Sequence, residues 1–210
     1  MSNTDYEFEG QSGTWLVPNE CLARLKEFVV GNRIAEGAYG KIFEFCKNKT
    51  SCDKIIKLVP LKDISGFNRE AEITKMASDL GISPKLDSAF TCPDVFEIGE
   101  DESIVPMGFL VQDRWTMTVL DFLFETERVS LPPGVKQRLK NKVAKMHQAG
   151  IAHNDLHQGN VILKADRNEK GQLVLKDVAI IDFDSAILRD QNPALFNEIV
   201  KKEEEVVEDM

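Results

Sequence analysis

A chain of 210 residues, 42% of them hydrophobic, can bury a core of its own, and its length suits one domain or two small lobes sharing a cleft rather than two independent domains. Its net charge of −9, from 26 basic and 35 acidic residues, excludes nucleic-acid binding driven by bulk charge, which needs a basic surface to displace counterions, and leaves only local basic patches for such a role. No apolar run approaches the roughly 20 residues that cross a bilayer, which excludes membrane insertion and leaves peripheral attachment to a membrane-bound partner compatible.

In chain order, Met1 to Gln11 carries acidic and turn-forming residues with little periodicity and reads as a disordered or loosely docked arm. The first twenty residues are polar and acidic, unlike a signal peptide. Cys21, Leu22, Leu25, Phe28 and Val29 recur at helical spacing after Pro18 and Asn19 and predict a short amphipathic helix. From Val30 to Pro60 the pattern turns strand-like. Ile42, Phe43 and Phe45 follow a glycine turn, and Ile55, Ile56, Leu58 and Val59 follow a polar loop, which fits two or three antiparallel strands.

Between Phe67 and Leu80, the residues Ile73, Met76, Ala77 and Leu80 share one helix face, and Gly81 and Pro84 stop the helix. Strand segments follow at Lys85 to Phe90 and Gly108 to Val111, around a polar, acidic loop from Asp94 to Ser103. Val135, Leu139, Val143 and Met146 define a helix begun by Pro132 and Pro133 and ended at Gly150. Val161 to Leu163 and Val178 to Ile181 read as short strands around a polar hairpin with Gly171 at its turn. Leu195, Phe196, Ile199 and Val200 show helical spacing before a strongly acidic tail. No internal repeat is present. Cys21, Cys46, Cys52 and Cys92 have no paired metal-ligand spacing, the core needs no covalent staple, and a reducing, cytosol-like compartment is the expectation.

The chemistry concentrates in two stretches. In His153-Asn154-Asp155-Leu156-His157-Gln158-Gly159-Asn160 a carboxylate precedes an amide by five residues, between a helix end and a strand. Phosphoryl transfer needs an anion to orient the attacking hydroxyl and take its proton, and an oxygen ligand nearby for a metal ion. Asp155 and Asn160 suit those roles, although Asn-Asp and Gly-Asn pairs also form ordinary turns. In Ile180-Ile181-Asp182-Phe183-Asp184 an apolar strand runs into two carboxylates, and hard divalent cations want carboxylate oxygens on a rigid support.

In that order the two stretches resemble the catalytic loop and the metal-binding Asp-Phe-Gly segment of the protein-kinase-like superfamily, with Asp184 in place of glycine. The resemblance covers about Arg33 to Arg189. It implies that Asp155 is the catalytic aspartate, that Asn160 and Asp182 hold metal, and that His153 props the loop. Ala35-Glu36-Gly37-Ala38-Tyr39-Gly40-Lys41-Ile42 resembles the glycine-rich nucleotide loop with Ala35 replacing its first glycine. Lys57 resembles the strand lysine that contacts nucleotide phosphates, while Lys54 reads as a solvated charge. Glu70 is its implied partner, because its face also carries Ile73 and Ala77, whereas Glu72 shares a face with Lys75 and Asp79. Phe109 to Trp115 resembles the last strand and hinge that receive adenine, with Gln112 or Val111 near the gatekeeper position and Asp113 in the hinge. His157 could touch the transferred group, but a structural hydrogen bond is the weightier reading, and His147 is blander still. No histidine and cysteine spacing implies zinc.

The implied fold is α+β and two-lobed: a flexible arm over residues 1–17, an antiparallel N-lobe sheet with one main helix over 18–115, and a truncated, mostly helical C-lobe with an acidic tail over 116–210. The implied cofactors are ATP and Mg²⁺ (or Mn²⁺), the implied substrate a protein serine or threonine hydroxyl, and the implied setting cytoplasmic, that of a host if the chain is viral or an effector. Only 26 residues follow Asp184 in the 210-residue sequence, and no full activation segment, Ala-Pro-Glu anchor or large helical subdomain is recognisable. The expectation is therefore a minimal kinase, as in those of some large DNA viruses and bacterial effectors or the small atypical kinases of tRNA-modification complexes. Asp-Leu-His-Gln-Gly-Asn is also similar to the loop of aminoglycoside and choline-type kinases, which offers a small-molecule kinase as one alternative. A pseudokinase acting by binding is the other, permitted by Ala35 and Asp184.

Overall fold

The computed structural model describes residues 6–9, 13–25, 28–37, 40–47, 52–62, 64–99 and 102–210. These divide into two compact units, one of residues 1–68 and 86–114 and the other of residues 69–85 and 115–210. The segment 69–85, expected within the N-terminal lobe, thus groups with the C-terminal half.

In the first unit, alternating apolar residues build an antiparallel sheet. Its strands are β1 (Tyr6–Glu9), β2 (Thr14–Val17), β3 (Val29–Gly37), β4 (Gly40–Cys46), β5 (Lys54–Pro60), β6 (Leu86–Ile98) and β7 (Ser103–Asp113). Among the described residues they follow the order β1-β2-β6-β7-β5-β4-β3. One face carries Phe43, Phe45, Ile56, Leu58, Met107, Phe109 and Val111, all buried in a single cluster with Phe8, Trp15 and Val17. The sheet curls far enough that its first and last strands meet: Arg33 Nη1 lies 2.8 Å from Glu9 Oε1, and the Phe8 ring packs edge-on against Phe43 at 5.2 Å.

Four expectations change here. Part of the predicted N-terminal arm is a hairpin, β1 with β2, whose Phe8, Trp15 and Val17 are among the most buried side chains. Among the described residues, the helix predicted after Pro18 is a 3-10 turn, Ala23–Leu25, preceded by turns, and Val29 already begins a strand. The acidic loop predicted from Asp94 to Ser103 is mostly strand, because β6 runs on to Ile98 and pairs with β7 on one side and β2 on the other. Two disulfides, Cys21–Cys92 and Cys46–Cys52, staple the unit where no covalent staple was expected.

Helix α1 (Ile64–Asp79) starts in the first unit and ends in the second, where Ile73 and Ala77 enter the core and Gly81, at φ 68°, turns the chain away. After it come β8 (Met117–Thr118), α2 (Val119–Glu125), α3 (Pro133–Gln148), β9 (Ile151–Ala152), β10 (Val161–Arg167), β11 (Leu173–Ile180), β12 (Ile187–Leu188) and α4 (Pro193–Asp209). The core joins Leu139, Val143 and Met146 of α3 to Val161, Leu163, Val178 and Ile180 of the β10–β11 hairpin. The acidic tail is no solvated arm: α4 buries Phe196, Ile199, Glu203 and Val207 along one stripe. Among the described residues, no helix is long and apolar enough to cross a membrane.

Candidate active site

The second unit assembles the loop and the strand end singled out in the sequence. Helix α3 stops at Gly150, φ 81°, and the buried strand β9 carries the chain to His153, which is fully buried. The Asp155 N–H donates to His153 Nδ1 at 3.3 Å, so the neutral ring carries its proton on Nε2, which donates to Ile181 O at 2.8 Å. The same ring packs on Phe183 with centroids 5.0 Å apart. His153 therefore ties the loop to the strand end that precedes Asp182.

Around Asp155 the loop is closely determined. Asn160, 7% exposed, donates from Nδ2 to Asp155 O at 3.0 Å and to Asp155 Oδ2 at 3.4 Å. That arrangement turns the Oδ1 of Asn160 away from the carboxylate, leaving it oriented as an acceptor. Ile181 N–H donates to Asn160 O at 3.0 Å, which couples the amide's backbone to the residue before Asp182. The Asp155 side chain is 55% exposed, so its carboxylate is open to solvent. Asn154 and Asp182 both adopt left-handed backbone, at φ 66° and 68°, a conformation that costs a residue with a Cβ about 1–2 kcal/mol and persists only where the surroundings over-determine it.

His157 sits beside the carboxylate. The Gly159 N–H donates to its Nδ1 at 3.0 Å, so the neutral ring presents Nε2–H, and that nitrogen lies 3.7 Å from Asp155 Oδ2. Asp182 and Asp184 are half-buried on either side of the fully buried Phe183. The donor set of Asn160 and Asp182, one amide oxygen and a carboxylate with further carboxylates nearby in sequence, suits a hard divalent cation such as Mg²⁺ and not a soft one.

In the first unit, backbone pairing lines up Ala35, Ile42, Lys57 and Leu110 as direct neighbours across β3, β4, β5 and β7, on the face opposite the aromatic core. Gly37 pairs with Gly40, and a Cβ on Gly40 would come within 2.3 Å of Leu58 O, so only glycine fits there. Ala38 and Tyr39, the tip of the expected nucleotide loop, lie outside the described residues. Gln112 is buried on β7. Asp113 is ion-paired with Lys54, which also meets Asp87 at 2.6 Å, so the Asp113 side chain serves the sheet. Lys54 is correspondingly a half-buried structural cation and not the solvated charge expected. Burial alone would lower its pKa, but the hydrogen bonds and charges of Asp113 and Asp87 outweigh that and hold it above the usual lysine range. On α1, Glu70 is 5% exposed and Glu72 is exposed.

Two residues that bear on the loop escaped the sequence reading. Glu203, in the stretch read as acidic tail, accepts from the Asn154 N–H at 2.6 Å with Oε1 and meets His147 Nε2 at 2.6 Å with Oε2. The signal was present as a carboxylate standing where the Phe196, Ile199, Val207 stripe calls for an apolar residue. Arg69 donates from Nη2 to Ala186 O at 2.9 Å and to Gln191 Oε1 at 2.8 Å, pinning the segment after Asp184. No local pattern announces that contact across more than a hundred residues.

No family model matches the chain. Over 119 residues it is 29% identical to the KEOPS complex subunit Bud32 of Pyrococcus abyssi, a match that covers 57% of this chain and 46% of that protein. Over 163 residues it is 22% identical to the serine/threonine-protein kinase stk11 of Xenopus laevis, covering 74% of this chain and 35% of that one, and the STK11 of Rattus norvegicus matches to the same extent. The chain thus spans less than half the length of the curated relatives it matches. These distant likenesses, together with a mixed α+β structure whose large antiparallel sheet is compatible with a kinase-like fold, support a place for the chain in the protein-kinase-like superfamily.

Proposed function

We propose that the chain transfers the γ-phosphoryl group of ATP to a protein hydroxyl, serine or threonine by preference. The observation that carries the reading is the presentation of Asp155: an exposed carboxylate on a loop fixed by His153 and Asn160, beside a strand end bearing Asp182. In this reading Asn160 and Asp182 hold Mg²⁺ or Mn²⁺, which supplies charge neutralisation at the nucleotide phosphates. Asp155 orients the acceptor hydroxyl and takes its proton as the oxygen attacks the γ-phosphorus, the bond to the bridging oxygen breaks, and ADP leaves. Lys57, on the sheet face away from the aromatic core, stabilises charge on the phosphates. The backbone of Gly37, Gly40 and the hinge about Gln112 and Asp113 receives the nucleotide.

The test is incubation of the purified chain with labelled ATP and Mg²⁺ or Mn²⁺, alone and with generic protein acceptors, aminoglycosides or choline. Label on protein is expected. Asp155→Asn should lower the rate by roughly 10²–10⁴-fold, and Asp182→Ala should abolish it with an unchanged thermal midpoint. Label on the small molecules would redirect the reading to a small-molecule kinase, and nucleotide binding without turnover would redirect it to a binding protein.

A further inference from the structure

Helix α4 places a carboxylate where its packing calls for a hydrocarbon. Phe196, Ile199, Glu203 and Val207 fall at spacings of three, four and four, and Glu203 is only 3% exposed. Burying a carboxylate is costly unless its oxygens are fully engaged, and a leucine of similar volume would pack at least as well. Stability alone therefore gives no reason for a glutamate here.

The two oxygens of Glu203 are divided between different tasks. Oε2 meets His147 Nε2 at 2.6 Å on the facing stripe of α3, and the His147 carbonyl is itself held by Arg189 Nη2, whose guanidinium stacks on Phe196 at 4.8 Å. Oε1 accepts from the backbone N–H of Asn154 at 2.6 Å. Asn154 is the residue immediately before Asp155, it is left-handed at φ 66°, and its Nδ2 donates to Ser185 O at 3.2 Å. Asn154, which leads into Asp155, is thus gripped through its backbone N–H from α4 and through its side chain from the segment after Asp184.

We infer that Glu203 is a positioning residue of the transfer reaction: through the Asn154 N–H it holds the strained peptide that presents Asp155 to the acceptor hydroxyl. The inference rests on the phosphotransferase reading for its rate effect, but the contact itself is independent of any activity. His147 engages the other oxygen of Glu203, away from the loop.

The experiment uses the full chain and the variants Glu203→Leu, Glu203→Gln and His147→Gln. Thermal midpoint, nucleotide affinity, kcat, KM and hydrogen exchange at the Asn154 amide are measured for each. Leucine fits the stripe but cannot accept from Asn154. In E203L, kcat should fall roughly tenfold to a hundredfold, the scale of a misplaced catalytic group, while nucleotide affinity is unchanged and Asn154 loses its protection. E203Q keeps an acceptor and should restore both kcat and protection, and H147Q, which leaves the Asn154 contact in place, should keep kcat. A folded E203L with full kcat would overturn the inference, as would equal losses of kcat and thermal midpoint in E203L and H147Q. If E203L does not fold, the wild-type Asn154 amide decides: exchange as fast as an exposed amide overturns the contact. A wild-type chain that transfers no phosphate under any condition removes the phosphotransferase reading, while the amide protection still reports on Glu203.

Discussion

Asp155, Asn160 and Asp182 could be picked out as candidates from residue type and order, because a carboxylate, an amide and a strand-end carboxylate in that order are what phosphoryl transfer would use. Their backbone could not. Asn154 and Asp182 are both left-handed, and Asn154 is held by contacts to Ser185 and Glu203, which are distant in sequence. Lys54 shows the converse, a residue read as bland whose setting makes it structural. Its pKa is raised, so its ion pairs contribute fully below the unfolded lysine value of about 10.4 and are lost as pH rises through the higher folded value. Lys54→Met should therefore lower the thermal midpoint at pH 7, and the gap to the wild type should close above roughly pH 10.4. A gap that persists unchanged in strong alkali would show that the charge is not what stabilises.

At the scale of elements, periodicity placed the long helices α1 and α3 and the strands β4 and β5, because an amphipathic pattern of a dozen residues has one good solution. Short elements were missed. Helix α2 has seven residues, too few for a period, and it is held by a capping box in which the Thr118 side chain accepts from the Asp121 N–H while Asp121 reaches back to the Thr118 N–H. Thr118→Ala should cost about 1 kcal/mol, read as a shift in the denaturation midpoint at unchanged slope. The β1–β2 hairpin and the outer half of β6 were likewise illegible. Their charged residues imitate a loop, and only pairing on both sides of β6 makes the segment strand.

Across the whole molecule, the cysteines could not be paired by counting. Cys21 and Cys92 are separated by 71 residues and meet because the sheet order sets β6 beside β2, just after which Cys21 lies. In the chain-entropy account, closing a loop of that length contributes about 4 kcal/mol. Reduction should therefore lower the thermal midpoint measurably, and a thiol assay under denaturing conditions should detect four new thiols only after reductant is added. An unchanged midpoint would mean that the unit's aromatic core suffices.

The division between what was legible and what was not follows the range of the forces involved. Sequence alone determined the long amphipathic elements, since core burial selects a local period, and it singled out the candidate site residues by type and order. It also carried the likeness of the Asp155 and Asp182 stretches to kinases. The tertiary structure decided the rest: the curl that brings Arg33 to Glu9, the pairing of cysteines, and the grip of Glu203 on the Asn154 peptide. Each of these joins residues that no local pattern relates. A buried carboxylate finds its partners only after the helix that carries it has docked.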